Sequence, residues 1–128
     1  MTIVVAAAVI RRGDRFLVTR RPPGVHLEGL WEFPGGKCAP GESLPGCVRR
    51  ELKEELGTDA DVGPELLAVT HHYADRSVEL HFLTCGLTTE PAPLLGQEMR
   101  WVRRAELRSL QFPPADEELL ALLERDER

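Results

Sequence analysis

Glu51, Glu54 and Glu55 stand at i, i+3 and i+4, the spacing that brings three carboxylates to one face of a helix. Like charges at that spacing oppose one another by about 0.2–0.5 kcal/mol per exposed pair. Val48, Leu52 and Leu56 recur at i, i+4 and i+8 and form an apolar stripe. The edge of that stripe overlaps the acidic face, so the carboxylates turn partly toward the body of the domain. A crowded, half-desolvated acidic cluster needs compensation. Hard divalent cations provide it, and Mg²⁺ typically takes one or two carboxylates together with substrate phosphates. Each feature also has a plainer reading when taken alone. Glu-x-x-Glu-Glu is what a solvated helix face looks like, with Arg50 and Lys53 balancing the charge, and Pro34-Gly35-Gly36 is a common turn.

The elements that must position these residues follow from local pattern. Ser43 is an N-cap for a helix running to Leu56, with Pro45 in its first turn and Gly57 at the left-handed C-cap position. Ile3 to Arg11 reads as a strand buried on both faces. Arg12-Gly13-Asp14 is a hairpin turn into a second strand, Arg15 to Arg20. Pro22-Pro23-Gly24 breaks that strand, and Gly29 to Phe33 forms a short one that ends at Pro34-Gly35-Gly36. Leu66 to His72 and Ser77 to Leu87 are two strands joined near Ala74-Asp75-Arg76, and Met99 to Val102 is another. An amphipathic helix from about Asp116 to Glu124 follows Pro113-Pro114, with Leu119, Leu120, Leu122 and Leu123 inward; Arg125 to Arg128 are expected to fray. Strands, helix, strands, helix, without regular βαβ alternation, indicate an α+β fold, a layered α/β/α sandwich on a central mixed sheet.

The 128 residues fit one domain, 1–128, with a core of its own. A net charge of -5 argues against a broad basic surface for duplex nucleic acid, yet leaves room for a small phosphorylated substrate whose charge a cation offsets. No apolar run reaches the length of a membrane span. Ile3 to Ile10 lacks the basic leader and small-residue cleavage site of a signal peptide. Cys38, Cys47 and Cys85 show no Cys-x-x-Cys spacing. They suggest neither a disulfide framework nor a zinc site, so idle thiols in a reducing, cytoplasmic setting are expected.

Together, the glycine loop and the acidic helix resemble the signature of the Nudix hydrolase family: Gly-x5-Glu-x7-Arg-Glu-U-x-Glu-Glu-x-Gly-U, where U is a bulky aliphatic residue. Gly36, Glu42, Arg50, Glu51, Leu52, Glu54, Glu55 and Gly57 fit it across residues 36–58, and Thr58 departs from it at the last position, which normally packs in the core. Leu30-Trp31-Glu32-Phe33-Pro34-Gly35-Gly36-Lys37, Thr19-Arg20-Arg21 and Phe112-Pro113-Pro114-Ala115-Asp116 are similar to the MutT-type branch. The resemblance implies hydrolysis of a nucleoside triphosphate to the monophosphate and pyrophosphate, with Mg²⁺, or Mn²⁺ as substitute. It implies metal binding by Glu51, Glu54 and Glu55 with the backbone carbonyl of Gly35 or Gly36. The general base is either Glu51 or Glu98. Glu42 and Arg50 would brace the loop and helix as an internal ion pair, and Lys37 would contact phosphate or remain solvated.

Substrate contacts implied by the same resemblance fall on Arg21 and His26, on Arg76, which is also a plain turn residue, and on Asp116. Relatives specific for oxidised guanine carry asparagine at this last position. Aspartate replaces it only as an acceptor or when protonated, and the same residue is equally placed to cap the last helix. Trp31 and Trp101 read as core. His72 and His81 read as strand residues with a possible place beside the nucleotide. The expected function is sanitation of oxidised purine nucleotides of the 8-oxo-dGTP type, an activity allied to DNA repair. A pyrimidine substrate, CTP or a modified dCTP, is the alternative, and a non-catalytic binding module of the same fold is the rival from another class. The partner expected is a small nucleotide, and the chain itself is a monomer or homodimer.

Overall fold

The computed structural model describes residues 1–125. Its framework is the strand β1, Thr2–Arg12, whose residues Ala6 to Ile10 are all buried. Small and β-branched side chains let both faces of this strand be covered, as its unbroken apolar run requires. Gly13 turns the chain at φ +64 into β2, Arg15–Arg20. Then come β3, Trp31–Glu32, and β4, Gly35–Lys37; the helix α1, Leu44–Leu56; β5, Ala60–His72; β6, Ser77–Leu87; and β7, Glu98–Arg103. Two 3-10 helices, Arg104–Ser109 and Pro114–Asp116, lead into α2, Glu117–Arg125.

The sheet is mixed. β1 runs parallel to β6 and antiparallel to β4, while β5 lies antiparallel to β6. The end of β1 passes the chain to β2, which carries β3 on one edge and β7 on the other, both antiparallel. One face, Ala6, Ala8, Ile10, Leu17, Leu83 and Cys85, is covered by Cys47, Val48, Leu52 and Leu56 of α1. The opposite face, with Val9, Phe16, Phe33 and Phe82 among its members, is covered by Leu119, Leu120 and Leu123 of α2 and by Leu107. This is the expected three-layer arrangement.

Four local expectations are corrected. Gly35–Lys37 is a strand, because glycine alone lets the backbone come this close to β1: a Cβ on Gly35 would overlap the Ala6 carbonyl and Ala7 Cα. The short strand before it is confined to Trp31–Glu32, and Gly29 and Leu30 are loop residues tied to the end of β2 by Arg21 N–H to Leu30 O at 2.9 Å and Gly29 N–H to Arg21 O at 3.0 Å. β5 begins at Ala60, not Leu66, and bulges between Val62 and Leu67 absorb Gly63 and Pro64 without ending the pairing with β6. Cys38 and Cys47 are joined in a disulfide, with Cα atoms 5.2 Å apart, and only Cys85 is an unpaired buried thiol. Arg125 closes α2, and the rest of the tail expected to fray, 126–128, lies outside the described residues. Among the described residues no helix is long and apolar enough to cross a membrane.

Candidate active site

α1 begins and ends as its sequence requires. Ser43 Oγ accepts from Gly46 N–H at 3.1 Å, and Gly57 at φ 62 donates to Lys53 O. The end of α1 is then tied down by the loop before β7: Leu94 N–H donates to Glu55 O at 3.1 Å, and Gln97 Nε2 donates to the same carbonyl at 3.1 Å. Gln97 is buried, so this contact fixes the turn carrying Glu55. Thr58 is fully buried as well. Its hydroxyl bonds Thr89 O at 2.7 Å and Thr89 Oγ1 at 2.9 Å, so the polar side chain is satisfied where an aliphatic one was expected.

Arg50 organises the start of the cluster. Its Nε and Nη2 grip Glu42 at 2.8 and 3.0 Å, Nη1 donates to Glu51 Oε1 at 2.9 Å, and Nη2 also donates to Lys37 O at 2.9 Å. Glu42 further accepts from Ala39 N–H at 2.9 Å. These bonds, Arg50 first, hold the Glu42 carboxyl down at about 2. Glu42 and Arg50 therefore form the internal brace expected of them, tying the loop after β4 to α1.

Glu51 is turned inward against that loop: a Cβ on Gly36 would lie 2.5 Å from its carboxylate. Glu55 is half-buried one turn later. Burial, and after it the neighbouring Glu51, Glu32 and Glu54, hold the Glu55 carboxyl far above the usual carboxylate range. Glu54 is the exposed member, with 57% of its side chain accessible, at 3.4 Å from Arg50. Four carboxylates thus crowd beside a carbonyl-lined glycine strand with one guanidinium among them. A divalent cation fits such a donor set: oxygen ligands and surplus negative charge.

Two hollows of about 240 and 230 Å³ share Arg21, Glu32 and Gly35 as walls. Glu55 and Gln97 border the smaller one. The larger is apolar, with Phe33, Tyr73, Leu80 and Phe82, and is edged by Lys37 and Asp116. Arg21 pairs with Glu32 at 3.0 Å and also donates to His26 O at 2.6 Å. Burial raises the pKa of Glu32 against the opposing pull of Arg21. Asp116 is 5% exposed, and burial followed by repulsion from Glu32 pushes its carboxyl up to about 7. Among the described residues its carboxylate accepts no hydrogen bond, so it faces the hollow and does not cap α2.

Of the expected site residues, Arg21, Gly35, Gly36, Lys37, Glu51, Glu55 and Asp116 come together, with Glu54 at the rim. His26 is exposed and contributes its carbonyl. Arg76 is not among the walls of either hollow. Glu98 lines a neighbouring hollow, held by Arg100 at 2.7 Å and Arg20 at 3.4 Å, with a lowered pKa for that reason. His72 and His81 are engaged elsewhere, with Ser77 and with Glu65 and Glu79. Glu32, Tyr73 and Gln97 were not singled out as site residues from sequence. The one signal for Glu32 in the sequence is its place inside the MutT-like segment Leu30 to Lys37.

A family model described as "NUDIX domain" matches residues 5–122. The chain is 33% identical over 123 residues to an 8-oxo-dGTP diphosphatase of Escherichia coli (strain K12), covering 94% of this chain and 95% of that one. It is 42% identical over 79 residues to a CTP pyrophosphohydrolase of the same organism, spanning 62% of this chain and 58% of that one. The solution structure of the E. coli ORF135 protein matches with a TM-score of 0.82 at 34% identity, over 96% of this chain and 86% of that one.

Proposed function

The chain belongs to the Nudix family, and from that premise we propose that residues 1–128 form one Nudix hydrolase domain that converts an oxidised purine nucleoside triphosphate to the monophosphate and pyrophosphate. One observation carries this reading: Glu51, turned against the Gly36 backbone, and half-buried Glu55 one turn later crowd so closely that the Glu55 carboxyl is held far above its usual range, a repulsion that a bound divalent cation would relieve. Glu51, Glu54 and Glu55, with the Gly35 or Gly36 carbonyl, would hold Mg²⁺, for which Mn²⁺ is a natural substitute. When bound, such ions neutralise the polyphosphate oxygens and activate the attacking water. The chain's own part is positioning. Arg50 aims Glu51, Gln97 fixes Glu55, and Lys37 and Arg21 stand where phosphate charge enters.

Glu51 is the better general base of the two expected. Both candidates carry an arginine contact, but Glu98 lines a neighbouring hollow, whereas Glu51, held by Arg50, lies against the glycine strand beside the other carboxylates of α1. The apolar walls of the larger hollow suit a planar base, with Asp116 and Glu32 at its polar edge. A protonated Asp116 can donate to a base edge as asparagine does. The substrate is a free nucleotide, so the enzyme works where that pool is, in the cytoplasm.

A pyrimidine substrate is favoured by one fact, the 42% identity to a CTP pyrophosphohydrolase across 79 residues. The deciding experiment is a panel of canonical and oxidised nucleoside triphosphates with Mg²⁺, scored for pyrophosphate against orthophosphate. The proposal expects pyrophosphate, fastest from 8-oxo-dGTP, and almost none from Glu54→Gln. Fastest release from CTP would move the substrate to the pyrimidine class. No metal-dependent release from any nucleotide would make the chain a binding module.

A further inference from the structure

The Cys38–Cys47 disulfide joins the two pieces from which the proposed metal cradle is built. Cys38 directly follows β4, and Cys47 lies on the inner face of α1, one turn before Glu51. Cys47 Sγ is 3.7 Å from the carbonyl oxygen of Gly36, and Gly36 is pressed against the Glu51 carboxylate. Cys47 is fully buried while Cys38 is half-buried, so a reagent reaches the pair from the Cys38 side. In a reducing compartment a disulfide is ordinarily transient and regulatory.

We propose that Cys38 and Cys47 form a reversible thiol–disulfide switch that sets how tightly the β4–α1 cradle holds its divalent cation. The switch regulates the site described above and rests on the hydrolase reading for its biological purpose.

Closure consumes one equivalent of a low-molecular-weight disulfide such as oxidised glutathione. Cys38 sulfur displaces one thiol from it and forms a mixed disulfide. Cys47 sulfur then attacks Cys38 sulfur, the bond to the reagent breaks, and the second reagent thiol leaves. The two cysteine protons end on the two released thiols, and the two electrons lost by the cysteines reduce the reagent. Excess reduced thiol runs the exchange backward.

Two physical effects give the switch its direction. The oxidised ring encloses Glu42, so the loop is fastened to α1 covalently at Cys47 and by the Glu42–Arg50 pair. Reduction leaves only the non-covalent ties, the Glu42–Arg50 pair and the Arg50 bond to Lys37 O. Reduction also makes Cys47 an S–H donor beside the Gly36 carbonyl, one of the two backbone oxygens proposed for the cation. Both effects weaken cation binding in the reduced state.

The test uses the full chain equilibrated with oxidised glutathione or with a phosphine reductant, alongside Cys38→Ser. Thiol counting in denaturant should find one free thiol, Cys85, in the oxidised protein and three in the reduced protein. Opening a ring of roughly ten residues should lower the melting temperature by about 10 °C. Calorimetric titration with Mn²⁺ alone should show binding roughly tenfold weaker on reduction, the scale of losing an outer-shell support. Cys38→Ser should match the reduced state in either buffer.

Equal Mn²⁺ affinity with the disulfide demonstrably present and absent would overturn the proposal. So would three free thiols after oxidised glutathione, or no Mn²⁺ binding in either state. A reduced protein that retains stoichiometric Zn²⁺ on Cys38, Glu42 and Cys47, whose ligand atoms lie within 4.8 Å of one another, would overturn it by making the pair a metal site. Redox-dependent Mn²⁺ binding without pyrophosphate release from any nucleotide would support the switch and sink only the hydrolase reading.

Discussion

Replacing Asp116 by asparagine isolates the charge at the polar edge of the base-sized hollow. The side chain keeps its shape and loses its proton equilibrium. In the folded protein, burial and the Glu32 carboxylate push the Asp116 carboxyl from its ordinary 3.8 up to about 7. Below about pH 3 the acid is largely neutral whether the chain is folded or unfolded, and it costs almost nothing. As pH rises from 4 to 7 the unfolded chain gives up the proton and the folded chain retains it, so stability falls across that window and levels off above it. The gap between the two values is worth roughly 4 kcal/mol at pH 8, and about 1–2 kcal/mol has already gone by pH 5. Water entering the hollow trims both figures, so Asp116→Asn should gain about 2–3 kcal/mol over the parent between pH 5 and pH 8. Urea unfolding of both proteins at the two pH values reads this directly. Parallel pH dependences, with no gain for the variant, would refute the claim that Asp116 is a buried acid held protonated by its surroundings.

Three further outcomes follow from the same geometry. Glu55→Gln removes one of four crowded carboxylates, so in a chelator it should melt above the parent by a few degrees, while its metal-dependent turnover falls by about 10²-fold or more. Differential scanning calorimetry and a pyrophosphate assay give the two readings, and a lower melting point would contradict the crowding. Gly36→Ala places a methyl 2.5 Å from the Glu51 carboxylate and must displace it; kcat should fall about 10²-fold, as for a misplacement near 1 Å, and unchanged kcat would remove Glu51 from the chemistry. Thr58→Val deletes the hydroxyl that bonds Thr89 O, leaving that carbonyl short of a donor, and should lower stability by about 1–3 kcal/mol in denaturant melts without altering kcat.

What could be read from the sequence, and what could not, divides by the range of the interactions involved. α1 was legible from Ser43 to Gly57 because its caps and its Val48–Leu52–Leu56 stripe are local. The inward turn of Glu51 and Glu55 followed from the overlap of that stripe with the acidic face. β4 was not legible, because a Gly-Gly pair carries no strand propensity; its conformation comes from close approach to Ala6 and Ala7, thirty residues away in sequence by rough count. The first half of β5 was hidden by Gly63 and Pro64, which a bulge accommodates. The Cys38–Cys47 pairing has no spacing signature, since it depends on where β4 meets α1. Arg76 and His26 drew their expected roles from the resemblance and from their places in loops, and the turns that hold them do not bring their side chains to the hollows. Glu32 is the converse: it gained its place by burial beside Arg21 and Asp116, which no local pattern records.

Glu32 also explains why the two halves of the site are not independent. Its charge helps to push up the carboxyl pKa of both Glu55 and Asp116, and it stands with Arg21 and Gly35 in the walls that the two hollows share. Any cation that settles the Glu51–Glu55 cluster must also draw on Glu32's field, and so lessen the repulsion Asp116 feels. Asp116 should then release its proton at a lower pH with metal bound than without it. Metal occupancy at the phosphate end would thereby alter whether the base end donates or accepts. Under the proposed roles, one half-buried carboxylate would couple catalysis to base choice. Glu32→Gln should uncouple them, flattening the dependence of base preference on metal concentration while the glutamates of α1 remain in place. An unchanged dependence in that variant would mean that Asp116 senses the metal by another route.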